Sequence, residues 1–176
     1  MMKLWPFEKK KEPVPVETPS TETAVPTHLK PFFVQRADKG NDTQLTGGIR
    51  CSCGCEVFAA KQSKDDNCLY HLTCDACRKD LLLFDARIHG WDAMVCKMPA
   101  EHLQLGDITA KCEKCGSERF GVTVWIEPAE KAEFVACVEG ELPESDWVNA
   151  FTWFAAHLTC SDCGRRQRDW ADIETA

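Results

Sequence analysis

Two stretches decide how this chain is read: "HLTCDAC", from His71 to Cys77, and "HLTCSDC", from His157 to Cys163. Nearly the same residues are written twice. Upstream, "CGCEVF" (Cys53 to Phe58) aligns with "CGSERF" (Cys115 to Phe120). Both anchors keep their order, so an internal duplication is the simplest account. The second copy is longer between its anchors. The extra length includes "EPAEKAEFVACVEGELPESDW" (Glu127 to Trp147), which is acidic and carries turn residues at Pro128, Gly140 and Pro143. Such a composition predicts an insertion at a hairpin tip, spanning 127–149.

Strand periodicity surrounds the repeats. In "FGVTVWI" (Phe120 to Ile126) Phe120, Val122, Val124 and Ile126 fall on one side, the period of a half-buried strand. "AFTWFAAHLTC" also alternates, with Thr152, Phe154, Ala156 and Leu158 on one face and Phe151, Trp153 and His157 on the other. Each unit therefore reads as a strand, a return strand ending in a cysteine pair, and a third strand: "DLLLFDA" (Asp80 to Ala86) in the first, "RRQRDWA" (Arg165 to Ala171) in the second. Helical periodicity is hard to find.

Twelve cysteines in 176 residues are well above ordinary usage, and most come in close pairs. Cysteines two or three positions apart are poorly placed to bridge each other and suit a shared metal ion better. In the second unit "CEKCG" (Cys112 to Gly116) and "CSDCG" (Cys160 to Gly164) each place a glycine just after the pair, where the chain must turn back. Two such turns facing each other make a tetrahedral set of thiolates, which suits Zn²⁺ at a sulfur distance of about 2.3 Å.

This arrangement resembles the zinc-ribbon family, in which two cysteine turns at hairpin ends clamp one structural zinc beneath a small three-stranded sheet. The resemblance covers roughly 48–86 and 110–172. It implies a small all-β, metal-stabilised fold: two tandem zinc ribbons, each a three-stranded antiparallel sheet, with two Zn²⁺ per chain. Carried over by position, Cys112, Cys115, Cys160 and Cys163 would be the ligands of the second ribbon. Cys74 and Cys77 match the second turn of the first ribbon, whereas "CSCGC" (Cys51 to Cys55) departs from the family spacing. Anchoring on the glycine assigns Cys51 and Cys53 as the remaining ligands, in a turn one residue shorter, and makes Cys55 a spare thiol. Whether Cys55 replaces either of them stays open at this point. Cys68, Cys96 and Cys137 are unpaired and read as small buried apolar residues. His71 and His157 precede a ligand in both copies, but each unit already has four sulfurs, so they read as hydrogen-bonding partners of a neighbouring strand.

The expected organisation is a disordered tail rich in Pro, Thr and charge over 1–47, a first ribbon over 48–97, a linker over 98–109 and a second ribbon over 110–173. A unit of 50 to 60 residues is near the limit for a self-sufficient core, so the metal is expected to decide whether each unit folds. The start, "MMKLWPFEKKK", lacks the order of a secretory signal, and no apolar run is long enough to span a bilayer. Trp5 and Phe7 ahead of Lys9, Lys10 and Lys11 make at most a weak surface anchor. Paired cysteines then point to a reducing compartment, the cytoplasm.

The chain carries a formal charge of −7, and most of the excess acid lies beyond residue 100. General attraction to phosphate is therefore disfavoured. Basic residues nevertheless crowd the cysteines: Arg50, Arg78, Lys79, Lys111, Lys114, Arg165, Arg166 and Arg168. Two roles stand open for Arg165, Arg166 and Arg168: contacts to phosphate, with Trp153 or Trp170 as a stacking platform, or counter-charges to a dianionic metal cluster, which is favoured. The expected function is that of a non-catalytic zinc-binding protein presenting a protein–protein interaction surface through its strand edges and acidic insertion. The alternatives are a nucleic-acid-binding zinc ribbon and a rubredoxin-like iron electron carrier. Enzymatic activity is not expected, since a four-cysteine zinc has no open position and "HGWD" (His89 to Asp92) reads as a turn with a packed Trp91.

Overall fold

The alternating apolar side of "FGVTVWIE" makes Phe120–Glu127 the spine of the molecule: its even-numbered residues are buried and the odd-numbered ones half-exposed. The computed structural model describes residues 25–36, 44–64, 69–97 and 107–176. Among these the strands run β1 (Phe33–Gln35), β2 (Leu45–Ile49), β3 (Phe58–Ser63), β4 (Leu69–Cys74), β5 (Asp80–Asp85), β6 (Asp107–Thr109), β7 (Phe120–Glu127), β8 (Trp153–Cys160) and β9 (Arg166–Glu174). All join one antiparallel sheet. A short helix α1 (Trp91–Met94), a longer helix α2 (Lys131–Val138) and a 3-10 helix (Glu144–Asn149) complete the described elements.

The three strands expected in each unit are present, and the two sets match in register. In β3–β4 Phe58 pairs with Cys74 and Lys61 with His71; in β7–β8 Phe120 pairs with Cys160 and Thr123 with His157. The third strand of each set breaks register at the same place, beside His71 in one and beside His157 in the other. The backbone of Asp75 donates to Val57, and that of Ser161 donates to Arg119. Across the middle of the sheet Phe58 pairs antiparallel with Phe120, so residues from matching positions meet face to face.

That pairing joins the two three-stranded sheets expected of the tandem units into one. The strands of both units belong to one sheet, which curls so that its apolar faces share one core. Phe84 of the first unit stacks on Phe154 of the second at 5.5 Å, and Tyr70 meets Trp170 edge-on at 5.0 Å. The segment 98–109 is not wholly a linker either, because β6 pairs with β3; its residues 98–106 lie outside the described set.

The tail expectation for 1–47 also needs correction where the structure describes it. β1 and β2 pair with each other, and β2 then pairs with β7 in the second unit. Val25 and Leu29 are buried. Too few apolar residues are present for these pieces to be stable alone, so composition reads them as disordered; the edge of β7 supplies the missing ladder. Gly47 matters here, because a Cβ at that position would lie 2.4 Å from the Phe33 ring that crosses over it. Trp5 and Phe7, with the lysines after them, lie outside the described residues.

The 127–149 segment is no free hairpin tip. Its helix α2 buries Phe134 and Val138, one turn apart, and the 3-10 helix buries Trp147 and Val148. Its carboxylates face outward while these apolar anchors close one end of the core. No helix among the described residues is long and apolar enough to cross a membrane.

The units are also tied through "HGWD". The N–H groups of Gly90, Trp91 and Asp92 donate to the carbonyls of Asn149, Phe151 and Thr175 respectively. His89 is buried and stacks on His28 at 3.8 Å, clamping the Val25–Arg36 segment to β5. His28 Nε2 donates to the carbonyl of Leu83 and His89 Nδ1 accepts from the N–H of Asp85.

Candidate metal centres

Four tight turns build the two centres, and their backbones explain the spacing of the cysteines. In three of them the residue after the second cysteine donates its N–H back to the first cysteine: Arg78 to Cys74, Gly116 to Cys112, and Gly164 to Cys160. In the fourth, Gly54 donates to Cys51, closing a turn one residue shorter, as "CSCGC" requires. The returning residue lies in the left-handed region every time, at φ 89° for Gly54, 61° for Arg78, 74° for Gly116 and 70° for Gly164. Three of the four are glycine because only glycine adopts this conformation without steric cost. Arg78 is the exception.

The turns bring the sulfurs together in two groups, Cys51, Cys53, Cys74 and Cys77 in one and Cys112, Cys115, Cys160 and Cys163 in the other, each group's sulfurs within 4.8 Å of one another. The closest approaches are 3.5 Å for Cys51–Cys77, 3.6 Å for Cys53–Cys74, 3.5 Å for Cys112–Cys163 and 3.6 Å for Cys115–Cys160. These are far longer than a disulfide bond and close to the edge of about 3.8 Å expected for four sulfurs around a tetrahedral zinc. Both groups could therefore hold a metal ion. Cys55 stays outside: its sulfur is 3.4 Å from the backbone N–H of Val57. Of the three neighbouring cysteines whose roles the sequence leaves open, Cys51 and Cys53 join the group that could hold a metal and Cys55 does not.

Each centre sits at a strand end, half-sealed by the core. Cys51, Cys74, Cys112 and Cys160, the first cysteines of their turns, are buried, whereas Cys53, Cys77 and Cys115 are exposed. Burial pushes the Cys74 and Cys160 thiols up, but donation from turn N–H groups and neighbouring thiols outweighs it and holds both at about 6. The N–H of Cys55 favours ionisation of Cys53, and that of Ser117 favours ionisation of Cys115; the adjoining sulfurs together with burial overcome this and push both up to about 12. A cation placed among the four removes the repulsion that keeps the last thiols protonated.

Some of the surrounding charges are paired with carboxylates. Arg119 bridges Asp75, beside Cys74, and Asp162, beside Cys163, at 3.2 and 2.9 Å, linking the two centres through one guanidinium. Arg50 pairs with Glu56, Lys111 with Glu118 and, more loosely, Arg165 with Glu113. Arg165, Arg166 and Arg168 are all exposed, and Arg166 lines a groove. Arg119 escapes sequence reasoning because Asp75 and Asp162 are distant in the chain and meet only through the Phe58–Phe120 pairing.

Neither histidine of the repeats belongs to a sulfur group. His157 pairs with Asp169 at 3.3 Å and packs on Trp125 at 4.0 Å, on the open face of the sheet. Cys96 and Cys137 are exposed, contrary to the buried role expected of them, because each lies at the solvent side of a helix or its end. Cys68 lies outside the described residues. Comparison with protein-family models, with curated proteins and with solved structures finds no match to this chain.

Proposed function

We propose that this chain is a non-catalytic binding protein whose two four-cysteine centres each hold a structural Zn²⁺, as two zinc ribbons related by duplication and fused along one sheet. The observation that carries this reading is the closure of both centres: in each, two tight turns bring four sulfurs within 4.8 Å of one another. A zinc held by four thiolates keeps no position for water or substrate, so its contribution is to fold rather than to chemistry. Each such centre adds two negative charges, taking the folded chain to roughly −11 from its formal −7.

Elemental analysis by native mass spectrometry tests the reading. Two zinc ions per chain are expected, with loss of fold on chelation; a chain carrying no bound metal after purification in zinc-containing medium refutes it. Iron in the same sulfur sets would instead give a red protein with visible absorption, the mark of the electron-carrier alternative.

The protein-contact role expected of 127–149 narrows to its exposed carboxylates, among them Glu133, Glu139 and Glu144, since the apolar side of that segment is part of the core. Reversing those three charges is the sound test, because deleting the segment would open the core. Loss of the captured protein partner is expected, and unchanged capture rules the role out.

A further inference from the structure

The open face of the sheet carries a groove of about 490 Å³ that runs up to the second metal centre, with Cys160 and Ser161 at that end of its lining. Register explains its shape. Gly48 on β2 lies opposite Thr123 on β7, and Gly121 on β7 lies opposite Thr159 on β8, which in turn lies opposite Arg166 on β9. Two glycines thus pave the floor and leave the backbone accessible, while threonine hydroxyls stand beside them. Arg36, just past β1, reaches over Gly48 to within 3.4 Å of the Thr123 hydroxyl; a Cβ on Gly48 would lie only 3.4 Å from the same guanidinium. Arg166 rises from the opposite bank, and Arg50 borders the groove with its Glu56 partner. Neither Arg36 nor Arg166 has a carboxylate partner among the described residues.

Two features beside the groove narrow its ligand. Two positions beyond Thr123 is the half-exposed indole of Trp125, packed on His157. Further along the same face the charge reverses, where Glu127, Asp172 and Glu174 line a separate hollow. Arg36, Arg50 and Arg166 thus gather on one stretch of an otherwise acidic chain, with Arg50 answered by Glu56 and the Cys160 centre at one end. The groove spans four inter-strand steps from β1 to β9, about 19 Å, enough for a few nucleotides.

We propose that this groove binds single-stranded nucleic acid, with Arg36 and Arg166 on the phosphates, the threonine hydroxyls on phosphate or sugar oxygens, and Trp125 stacking a base. A single strand offers an unstacked base to the indole, which an intact duplex does not. An acidic peptide would use the arginines but leave the indole without a role. The inference rests on the binding-protein reading above and identifies the partner class.

The test is fluorescence anisotropy of a labelled oligothymidylate 12-mer against the zinc-loaded full chain at low salt, with zinc content measured on every sample. Binding in the low-micromolar range is expected, weakened at least tenfold in the R36Q/R166Q double variant and several-fold in Trp125→Phe, and unchanged in K131Q, which removes a cation from α2. Fewer phosphate contacts should also flatten the salt dependence of the double variant. Competition by thymidine monophosphate at equal nucleotide concentration would identify a free nucleotide as the source of the same chemistry and overturn the strand. Binding weaker than about 100 μM, equal binding by R36Q/R166Q, or equal competition by hexaglutamate or duplex also overturns it. A chain with two zinc ions that ignores the oligonucleotide sinks this inference alone, while a chain without metal sinks the reading beneath it.

Discussion

Gly90 is the position at which a single methyl group should do the most damage, and the cost can be worked from its surroundings. Its φ is 86° and its ψ 170°, a region essentially reserved for glycine, where a residue with a Cβ loses about 1–3 kcal/mol. A Cβ there would also stand 2.6 Å from Thr175 Cβ and Oγ1. Because Thr175 Cβ is fixed to its backbone, rotation of the side chain alone cannot clear the overlap. The chain around Thr175 must shift, straining the bonds from Trp91 N–H to its hydroxyl at 3.2 Å, from Asp92 N–H to its carbonyl at 2.7 Å and from its own N–H to Thr152 at 2.8 Å. Losing one or two of these in a buried setting costs about 1–2 kcal/mol each. Gly90→Ala should therefore destabilise the protein by about 3–5 kcal/mol in urea unfolding at a fixed zinc concentration. The partner variant Thr175→Gly removes the overlap, so in that background Gly90→Ala should cost only the backbone share, about 1–3 kcal/mol, leaving a coupling of about 2 kcal/mol. A cost below about 1 kcal/mol, or penalties additive to within about 0.5 kcal/mol, would show that Gly90 and Thr175 do not interlock the two halves as described.

Replacing one buried sulfur, by Cys74→Ser or Cys160→Ser, should remove one of two zinc ions; because both centres border one core, the remaining half should melt with the first in a single calorimetric transition at lower temperature, and an intact half persisting to the original temperature would contradict the shared core. Arg78→Gly should raise the urea midpoint by the equivalent of about 0.5–1 kcal/mol, since it relieves a left-handed arginine that the other three turns avoid, whereas Arg78→Ala should bring no such gain. Acid should loosen the His28–His89 clamp. Burial holds both imidazoles below their ordinary range, His89 at about 3, so the unfolded chain takes up protons from about pH 6.5 downward before the folded one does; stability is full above that range and falls as pH drops, for His89 toward 3, by at most about 1.4 kcal/mol per pH unit for each histidine still unprotonated in the fold. Urea midpoints at pH 7, 6 and 5 read this directly, and a His28→Gln variant that keeps the full slope would exclude His28 from it.

The cysteine turns and the alternating strands β7 and β8 are legible from local sequence, because ligand spacing and a period of two are properties of consecutive residues. So are the cysteine pairs, although only the fold shows that Cys51 and Cys53, and not Cys55, join the first group of sulfurs. What sequence cannot carry is the pairing between segments. β1 and β2 read as tail because Phe33, Leu45 and Ile49 bury little on their own, and they become strands only where the edge of β7 offers hydrogen bonds. α2 reads as an acidic loop because one turn of spacing between Phe134 and Val138 is too short a signal, although Pro128 before it and Gly140 after it mark its ends. The Phe58–Phe120 pairing, the Arg119 bridge between the centres and the arginine groove arise between residues far apart in the chain. Local chemistry thus determined where metal could bind and which faces are apolar, while the tertiary structure alone decided that the two halves share one sheet and one core, since an unpaired strand edge is satisfied by whichever segment the fold brings to it.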